Sequence, residues 1–454
     1  MNHSSHQKQC LFSFFEMIEM IDINTILETF YNDHFNSFSI NNLLLLLIFP
    51  LIFDIGRVSL KMAILAILKI KNKLMKNKMK NNIFSVKPKF SILIPAHNEE
   101  ECIQDAIESV LSCPYSNKEI IIVDDGSTDN TQKIIKKYVR KGLVKLVYHN
   151  KARGSKPAAL NPAFAHATGD IIVIIDADSV IRKDALDNIP KYFEDELVIA
   201  AAGHVKIRAG DDGIENIITR LQRYEYAQSI ELGKKFGTVF NTMMGMSGAF
   251  LIIRRDAFEK VGKFNDDVRV EDLDITLKLR GLGKKILFAE DALVYTYCPN
   301  NLKSLVKQRL YWSEGEIEAV LKHKNIIKNS HYLLRSRFSF LEFLFTDIVL
   351  GYASIVYFPI LLLTILNGIR TEYVVLFLLY LTSQIISLFY TGFFSELKNM
   401  RSYIYMIPLI LFFYGPFNKI VRLIGFTKMF TKCLSNKISD ILRQEKFQKQ
   451  VHLK

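Results

Sequence analysis

Two pairs of acidic residues each follow a short apolar run: Asp124 with Asp125, and Asp176 with Asp178. An apolar run of this length, bounded by turn residues, is typical of a buried strand. In open α/β sheets, ligands bind at the carboxyl ends of the strands. The two acidic pairs therefore predict one site, at one edge of a sheet, for a nucleotide and a divalent metal ion.

The second pair has the spacing of a metal site. Carboxylates two residues apart, just past a strand, can both face a hard cation such as Mg²⁺ or Mn²⁺. Such a cation would neutralise a diphosphate leaving group. The alternative is that Asp178 and Ser179 begin a turn or cap the next helix. Taken alone, the pair does not decide between a metal site and a turn.

Asp125 and Lys156 are candidate ligands for a nucleotide. Residues 124–127 (Asp-Asp-Gly-Ser) supply oxygen acceptors for ribose hydroxyls or a base, or else form a strand-to-helix turn with a cap. Lys156 stands at the start of a predicted helix, where the ammonium group and the helix N-terminus both attract phosphate. The alternative for Lys156 is a solvated loop lysine.

Glu271 and Asp272 open a segment with helical spacing. Acidic residues in a first helical turn are favoured by the helix dipole in any protein. The functional interpretation is that one carboxylate acts as a general base and takes the proton from an attacking hydroxyl. Residues 245–250, which precede this segment, include small side chains that let a substrate approach the backbone.

Residues 308–312 (Gln-Arg-Leu-Tyr-Trp) contain the single tryptophan of the chain. Aromatic faces provide stacking surfaces, and arginine binds phosphate in a fork. An amphipathic helix at a membrane surface would place Trp312 and Arg309 at the headgroups in any case. The two interpretations are compatible.

Short apolar strands alternate with helical stretches from Phe90 onward, which predicts a mostly parallel sheet with helices on both faces. Ser127, Thr128 or Asp129 is the expected cap of the second helix. The predicted strands are residues 90–94, 119–123, 144–148 and 170–175, and the predicted helices are residues 99–112, 128–141 and 157–168.

Composition indicates a membrane protein. Of 454 residues, 49% are hydrophobic, and the formal net charge is +13. The apolar unit 40–70 predicts one crossing, and the lysine-rich run 69–80 after it places the following domain in the cytosol. Nucleic-acid binding is disfavoured because the basic residues cluster beside apolar segments. Further apolar segments span residues 340–366 and 372–394, and a third, 403–426, is expected to be re-entrant or to end as a basic interfacial helix.

The five cysteines form no C-x-x-C pair and no zinc spacing, which is typical of reduced thiols in a cytosolic domain. The apolar stretch 11–23 contains three acidic residues, so a peripheral segment is expected there rather than a cleavable signal peptide.

The chemistry-bearing segments together resemble the family 2 inverting glycosyltransferases. More narrowly, they resemble the membrane-embedded synthases of the poly-N-acetylglucosamine, hyaluronan and cellulose type, from about Lys89 to the last apolar helix. The segments that carry the resemblance are residues 95–99, 124–127, 154–161, 176–178, 247–250, 271–272 and 308–312.

This resemblance implies a GT-A fold, a UDP-sugar donor and a Mg²⁺ or Mn²⁺ cofactor. Asp272 would be the base, with Glu271 beside it, and Asp178 would hold the metal together with Asp176. Tyr311 departs from the family's Q-x-x-R-W motif, because an arginine is expected at its position. The nucleotide-sugar site would be formed by Pro95, Ala96, Glu99, Asp125, Lys156 and Asp176, and the acceptor gate by Gln308, Arg309 and Trp312.

The expected function is transfer of a sugar, N-acetylglucosamine first, from a UDP-sugar to a growing polysaccharide by a multi-pass enzyme of the plasma membrane. The alternatives are single transfer to a lipid or polyprenyl phosphate, and a catalytically inactive membrane scaffold. Nucleic acid is not an expected partner. The expected layout is a peripheral segment (1–39), a transmembrane helix (40–70), a GT-A domain (86–300), interfacial helices (301–335), transmembrane or re-entrant helices (340–426) and a basic tail (427–454).

Overall fold

The computed structural model describes residues 40–75, 87–210, 215–329, 332–355, 371–394, 403 and 405–451. The predictions for residues 1–39, and for the second half of the apolar segment 340–366, fall mostly or wholly outside these ranges.

One eight-stranded sheet organises the chain between Phe90 and Cys298, in the order β3-β2-β1-β4-β7-β6-β8-β5. Strands β1 to β4 are parallel to one another, and β6 is parallel to β8. Strand β7 runs antiparallel to both β4 and β6, and β5 runs antiparallel to β8. The strands are β1 Phe90–Ala96, β2 Lys118–Asp124, β3 Lys145–Tyr148, β4 Ile171–Ile175, β5 Val180–Ile181, β6 Val198–Gly210, β7 Phe250–Arg254 and β8 Lys285–Cys298.

The sheet is therefore a mixed one, and the predicted parallel part is confirmed in β1 to β4. The central strands are buried on both faces, which explains why β2 and β4 read as continuous apolar runs. One core lies on each face, and each fully buried Ile, Leu or Phe side chain contributes about 1.5–3 kcal/mol to stability. Ile92, Ile122 and Val173 belong to one core, and Leu93, Ile121 and Ile172 belong to the other.

The α-helices are α1 Ile40–Met75, α2 Ile103–Ser112, α3 Thr131–Arg140, α4 Lys156–Ala163, α5 Ile217–Gln228, α6 Lys235–Phe240, α7 Arg255–Lys260, α8 Glu271–Arg280, α9 Leu302–Lys322, α10 Leu334–Phe343, α11 Thr371–Phe394, α12 Ile407–Leu409 and α13 Gly415–Val451. Wider π-helical turns occupy Ser229–Lys234, Leu344–Val349 and Ile410–Tyr414, and 3₁₀ turns occupy Phe164–His166, Pro190–Phe193 and Lys324–Ile326.

The predicted cap of α3 is wrong, because the residue that precedes this helix is Asn130. The backbone N–H of Thr128 donates to the Asn98 side chain, and the Ser127 hydroxyl accepts from the Asn98 backbone. Asp129 accepts from the N–H of Thr131. These hydrogen bonds tie residues 127–129 to the loop after β1, so the helix begins later than its sequence predicts.

Within the described ranges, two helices are long and apolar enough to cross a membrane, Leu334–Ile355 and Ile407–Ser435. The second continues as α13 through the predicted end at residue 426 and into the expected basic tail. Helix α1 is joined to α10 by Glu342, which pairs with Arg57 at 3.4 Å and Lys61 at 2.7 Å. Helices α9 and α13 pack so closely at Gly425 that a Cβ atom there would lie 2.7 Å from the Cβ atom of Ser313.

Candidate active site

The carboxyl ends of β1, β2 and β4 meet at one edge of the sheet. The parallel register places Ala96 beside Asp124, and the Ala96 carbonyl accepts a hydrogen bond of 2.9 Å from the N–H of Asp125. On the other side of β1, Leu93 pairs with Ile174, two residues before Asp176. The structure thus brings the two acidic pairs to a shared edge, as the sequence predicts.

Asp125 connects this edge to the loop that precedes α4. Both of its carboxylate oxygens accept from the N–H of Arg153, each at 3.1 Å. Gly126 has a φ angle of +70°, and a Cβ atom there would lie only 2.7 Å from the Ala152 backbone nitrogen. Only glycine accommodates both conditions without strain. The buried Asp124 uses one carboxylate oxygen to accept from the N–H of Ser127, and its other oxygen has no partner among the described residues.

Lys156 is the centre of the site. Ser155 caps α4 by accepting from the N–H of Ala158, which fixes the position of Lys156 in the first turn. The Lys156 ammonium lies 2.5 Å from Asp176 Oδ1 and 2.9 Å from Glu271 Oε1, and it donates to the Gly248 carbonyl at 3.1 Å. One side chain therefore connects the end of β4, the loop before β7 and the start of α8.

This lysine remains charged although it is largely enclosed. Burial alone lowers the pKa of Lys156, but the Asp176 and Glu271 carboxylates outweigh that effect and hold its pKa above the usual value. A permanent positive charge at this position is suited to an anionic ligand such as a diphosphate.

Three carboxyl groups crowd the end of β4. Burial raises the pKa of Asp176 to about 6, with Asp178 adding to the shift and Lys156 opposing it. Burial also raises the pKa of Asp178, whose Oδ1 accepts from the hydroxyls of Ser179 and Thr296. The pKa of Glu99 rises to about 7 through burial and the neighbouring Asp178 and Asp176. The positive charge at the end of β4 does not offset burial and the crowding of negative charge, so the pKa values of all three carboxyl groups stay raised.

The Asp176 and Asp178 side chains have the chemistry of ligands for a divalent cation. Their oxygen atoms suit Mg²⁺ or Mn²⁺, and a cation would offset the crowding of negative charge that raises their pKa values. Among the described residues, no group of three or more His, Cys, Asp or Glu side chains could hold a metal ion. Mg²⁺ commonly binds through one or two carboxylates and completes its shell with substrate phosphate and water.

Asp272 is held rigidly at the start of α8. Its Oδ2 atom accepts from the N–H of Gly248 at 2.8 Å, and its Oδ1 atom accepts from the N–H of Leu273 at 2.7 Å. Burial and the adjacent Glu271 raise the pKa of Asp272 to about 7, with Lys156 opposing. A carboxylate with a pKa near neutrality and a fixed orientation is suited to general-base catalysis.

The loop before β7 supplies contacts that the sequence analysis did not predict in detail. Gly248 contacts both Lys156 and Asp272 through its backbone, and a Cβ atom there would lie 3.3 Å from Asp272 Oδ2. Ser247 accepts a hydrogen bond from Lys234, a residue that the sequence analysis missed. Lys234 belongs to no motif, and the sequence shows it only as one of two adjacent lysines, Lys234 and Lys235.

The structure does not bring Arg309 to the Lys156–Asp176 pair. Arg309 is buried on α9, where its guanidinium lies 2.8 Å from Glu225 of α5 and 4.5 Å from the Trp312 ring centroid. Glu225 also accepts a hydrogen bond of 2.6 Å from the Tyr414 hydroxyl, and Gln308 accepts one of 3.0 Å from Arg309. These residues join α9 to the helix Ile407–Ser435.

Tyr311 contacts the segment that precedes α8. Its hydroxyl donates to the Arg269 carbonyl at 3.0 Å, just before α8, and half of the side chain is exposed. Burial of the hydroxyl and the Glu271 carboxylate raise the pKa of Tyr311, which places it within electrostatic reach of that carboxylate. The tyrosine therefore links α9 to the segment that carries Asp272.

Comparison with known proteins finds sequence similarity to glycosyltransferases. The sequence model of glycosyl transferase family 2 matches residues 91–262. Over 233 residues, the chain is 33% identical to a poly-beta-1,6-N-acetyl-D-glucosamine synthase of Staphylococcus epidermidis, which covers 51% of this chain and 55% of the relative. The same synthase of Staphylococcus aureus (strain COL) is 32% identical over the same share of each chain. The chain thus spans about half the length of the curated relatives that it matches.

A solved structure supports the fold. The mannosyltransferase PcManGT from Pyrobaculum calidifontis, in complex with GDP-Man and Mn²⁺, superposes with a TM-score of 0.55 at 17% identity, covering 85% of this chain and 99% of that one. Its likeness confirms a GT-A type architecture around the mixed sheet. The family match contains Asp125, Lys156, Asp176 and Asp178. Residues 91–262 are thus similar to glycosyl transferase family 2, and about half of the chain is similar to part of the poly-beta-1,6-N-acetyl-D-glucosamine synthases.

Proposed function

We propose that the chain is a membrane-bound inverting glycosyltransferase that transfers N-acetylglucosamine from a UDP-sugar to a growing polysaccharide. The observation that carries this proposal is the Lys156 cluster. Its ammonium contacts Asp176, Glu271 and the Gly248 carbonyl, and the Gly248 N–H binds Asp272. The groups suited to a diphosphate and to a base therefore belong to one hydrogen-bonded unit.

The nucleotide would bind along the carboxyl ends of β1 and β2. Pro95, Ala96, Glu99 and Asp125 line this edge, and the raised pKa of Glu99 allows it to donate a hydrogen bond near neutral pH. The carbonyl and carboxylate oxygens here are acceptors for a uracil N–H and for ribose hydroxyls. A UDP-sugar bound in this way directs its diphosphate toward Lys156.

The diphosphate would lie between Lys156 and the carboxylates of Asp176 and Asp178. Mg²⁺ or Mn²⁺ held by these two carboxylates would supply charge neutralisation for the leaving diphosphate. Lys156 would donate to the same phosphate oxygens, because its ammonium lies 2.5 Å from Asp176 Oδ1 at the end of β4. The structurally similar mannosyltransferase was solved with Mn²⁺, which supports a divalent cation as a cofactor.

Asp272 would act as the base. It takes the proton of an acceptor hydroxyl, whose oxygen forms a bond to the anomeric carbon as the bond between that carbon and the UDP oxygen breaks. The electron pair leaves with UDP, and the anomeric configuration inverts. The two backbone N–H bonds to Asp272 fix its orientation, and general-base catalysis contributes about 10²–10⁴-fold to rate.

The acceptor would pass along α9 toward the apolar helices. Gln308, Arg309 and Trp312 form a unit through Glu225 and Tyr414 that joins the catalytic domain to the candidate span Ile407–Ser435. The two candidate spans expose large apolar side chains, which supports a lipid surface around them. These include Leu334, Phe338, Leu341, Val349, Phe412 and Phe413.

The test is incubation of detergent-purified full-length protein with a panel of UDP-sugars and Mg²⁺ or Mn²⁺. We expect UDP release with UDP-N-acetylglucosamine and a polymeric product. Release accompanied by a single glycolipid would assign the chain to transfer onto a lipid acceptor. Absence of both UDP release and UDP binding with every donor would contradict the proposed activity.

A further inference from the structure

Lys234 is a cation of the site's surroundings that the reaction described above does not use. It is the last residue of the π-helical turn Ser229–Lys234, between α5 and α6, and its ammonium donates to the Ser247 hydroxyl. Among the described residues, no carboxylate lies within ion-pair distance of Lys234. π-Helical turns occur frequently at functional sites, because they re-aim side chains inside a helix.

Ser247, which binds Lys234, is adjacent in sequence to Gly248, which orients Asp272. Ser247 holds the Lys234 ammonium, and the next residue, Gly248, donates its N–H to Asp272 Oδ2 at 2.8 Å. Burial lowers the pKa of Lys234 to about 8, and the Asp272 carboxylate opposes this decrease. The interaction is reciprocal, so a charged Lys234 also favours the ionised carboxylate of Asp272.

The surroundings of the Lys234 ammonium differ from those of the Lys156 ammonium. Lys156 is offset by two carboxylates, Asp176 and Glu271, whereas the hydrogen-bond partner of Lys234 in the described part of the chain is a neutral hydroxyl. The charged groups that face Asp272 are Glu271 on its own helix, Lys156 from α4 and Lys234 from the π-helical turn. Tyr311 on α9 and Asp176 on the β4 side face Glu271.

We propose that Lys234 is a positioning residue of the transfer reaction, which acts through Asp272. Anchored on Ser247, its ammonium favours the ionised, proton-accepting form of the Asp272 carboxylate and so extends transfer to lower pH. This inference rests on the proposed function, because it takes Asp272 as the base. In this proposal Lys156 binds the diphosphate, and Lys234 favours the ionised form of Asp272.

The first test is the pH dependence of kcat/KM in the full-length protein. In Lys234→Met, the loss of positive charge raises the pKa of Asp272, so the acid limb of the profile moves upward by about half a pH unit or more. Lys234→Arg keeps the charge and restores the acid limb. Lys285→Met, which removes a surface lysine paired with Asp195, is the matched control and keeps the wild-type profile. A purely structural role of Lys234 would lower activity without moving the limb.

The second test does not require turnover. The rate at which trinitrobenzenesulfonate modifies Lys234, followed by mass spectrometry as a function of pH, reports the pKa of its amine. In Asp272→Asn, the loss of the carboxylate lowers that pKa, so we expect faster modification at neutral pH than in the wild type. Lys285 in the same samples is the internal control and keeps its rate.

The two tests separate this inference from the proposed function. If Asp272→Asn speeds the modification of Lys234 in a protein that transfers no sugar, the result would support the Lys234–Asp272 pair and contradict the proposed activity. An active wild type in which Lys234→Met leaves the acid limb unchanged would overturn the inference and leave the proposed function intact. Ser247→Ala provides a variant that retains both charged groups, and we expect a smaller shift in the same direction.

Discussion

At the residue scale, the site depends on acidic groups whose proton affinities are raised by burial and by one another. Glu99 and Asp272 have pKa values of about 7, and Asp176 has one of about 6. Lys156 is the cation that connects the two acidic regions. Burying these carboxylates together costs free energy when the site is empty. A bound cation or an accepted proton reduces that cost.

The pH dependence of transfer follows from Asp272. Only its ionised form accepts a proton, and its pKa is about 7. Activity is therefore expected to be low on the acid side, to rise through about pH 7, and to level above it. The measurement is kcat/KM across a buffer series, with saturating metal at each pH. A profile that stays flat from about pH 5 to about pH 9 would be inconsistent with Asp272 as the base.

The proposed function assigns the metal to Asp178 and Asp176. On this proposal, Asp178→Ala loses one of two carboxylate ligands, so we expect UDP affinity measured by calorimetry to become independent of Mg²⁺ or Mn²⁺. Asp184→Ala is the control, because Asp184 is an exposed acidic residue paired with Arg182 near the same strand. Metal-linked UDP affinity that persists in Asp178→Ala, at the level of the control, would exclude the assigned metal role.

Several of these residues were predictable because their types and order are informative together. Asp125, Asp176, Glu271 and Asp272 each have a common structural explanation, and only their sequence of occurrence indicates a shared site. Lys234 was not predictable, because its proximity to Asp272 depends on how a π-helical turn is packed against the loop at Ser247. No local pattern encodes that packing.

At the element scale, helix α9 connects the catalytic domain to the apolar helices. Arg309 pairs with Glu225 of α5, and Glu225 accepts from Tyr414 of the π-helical turn before α13. The close approach of Gly425 to Ser313 holds α9 and α13 together one turn further along α9. A change in this unit should therefore affect stability as well as the acceptor path.

Arg309→Met tests the unit. Removing the guanidinium leaves the partly buried Glu225 without its ion-pair partner, at an expected cost of about 1–3 kcal/mol. We expect a lower midpoint of thermal unfolding in detergent, and a double variant with Glu225→Gln that costs less than the two single changes combined. Lys322→Met, which removes an exposed partner of Asp267, is the control. Additive effects of the two changes would show that the pair does not contribute as described.

The sequence predicted β1 to β4 and α8 well, because long apolar runs and helical spacing determine these elements. It did not predict that β7 enters the sheet antiparallel to β4, since an apolar run carries no information on direction. The start of α3 was wrong for a different reason. Hydrogen bonds with Asn98, which precedes Ser127 by 29 residues and Thr128 by 30, compete with the local capping signal.

At the scale of the whole molecule, a sheet-based domain is joined to apolar helices by ion pairs. Lys428 of α13 lies 2.6 Å from Glu314 of α9, which also pairs with Arg269 just before α8. Composition predicted apolar segments at both ends of the domain, and the candidate spans Leu334–Ile355 and Ile407–Ser435 both lie on its C-terminal side. The pairing between helices could not be predicted, because it depends on their relative positions.

The central claim is that this chain transfers a sugar from a UDP donor with Asp272 as the base. The most direct measurement compares UDP release from UDP-N-acetylglucosamine by the purified wild type, by Asp272→Asn, and by the surface control Asp195→Asn. We predict release by the wild type and the control, a decrease of about 10²–10⁴-fold in Asp272→Asn, and UDP affinity that is retained in all three. Equal release by Asp272→Asn and the wild type would contradict the account.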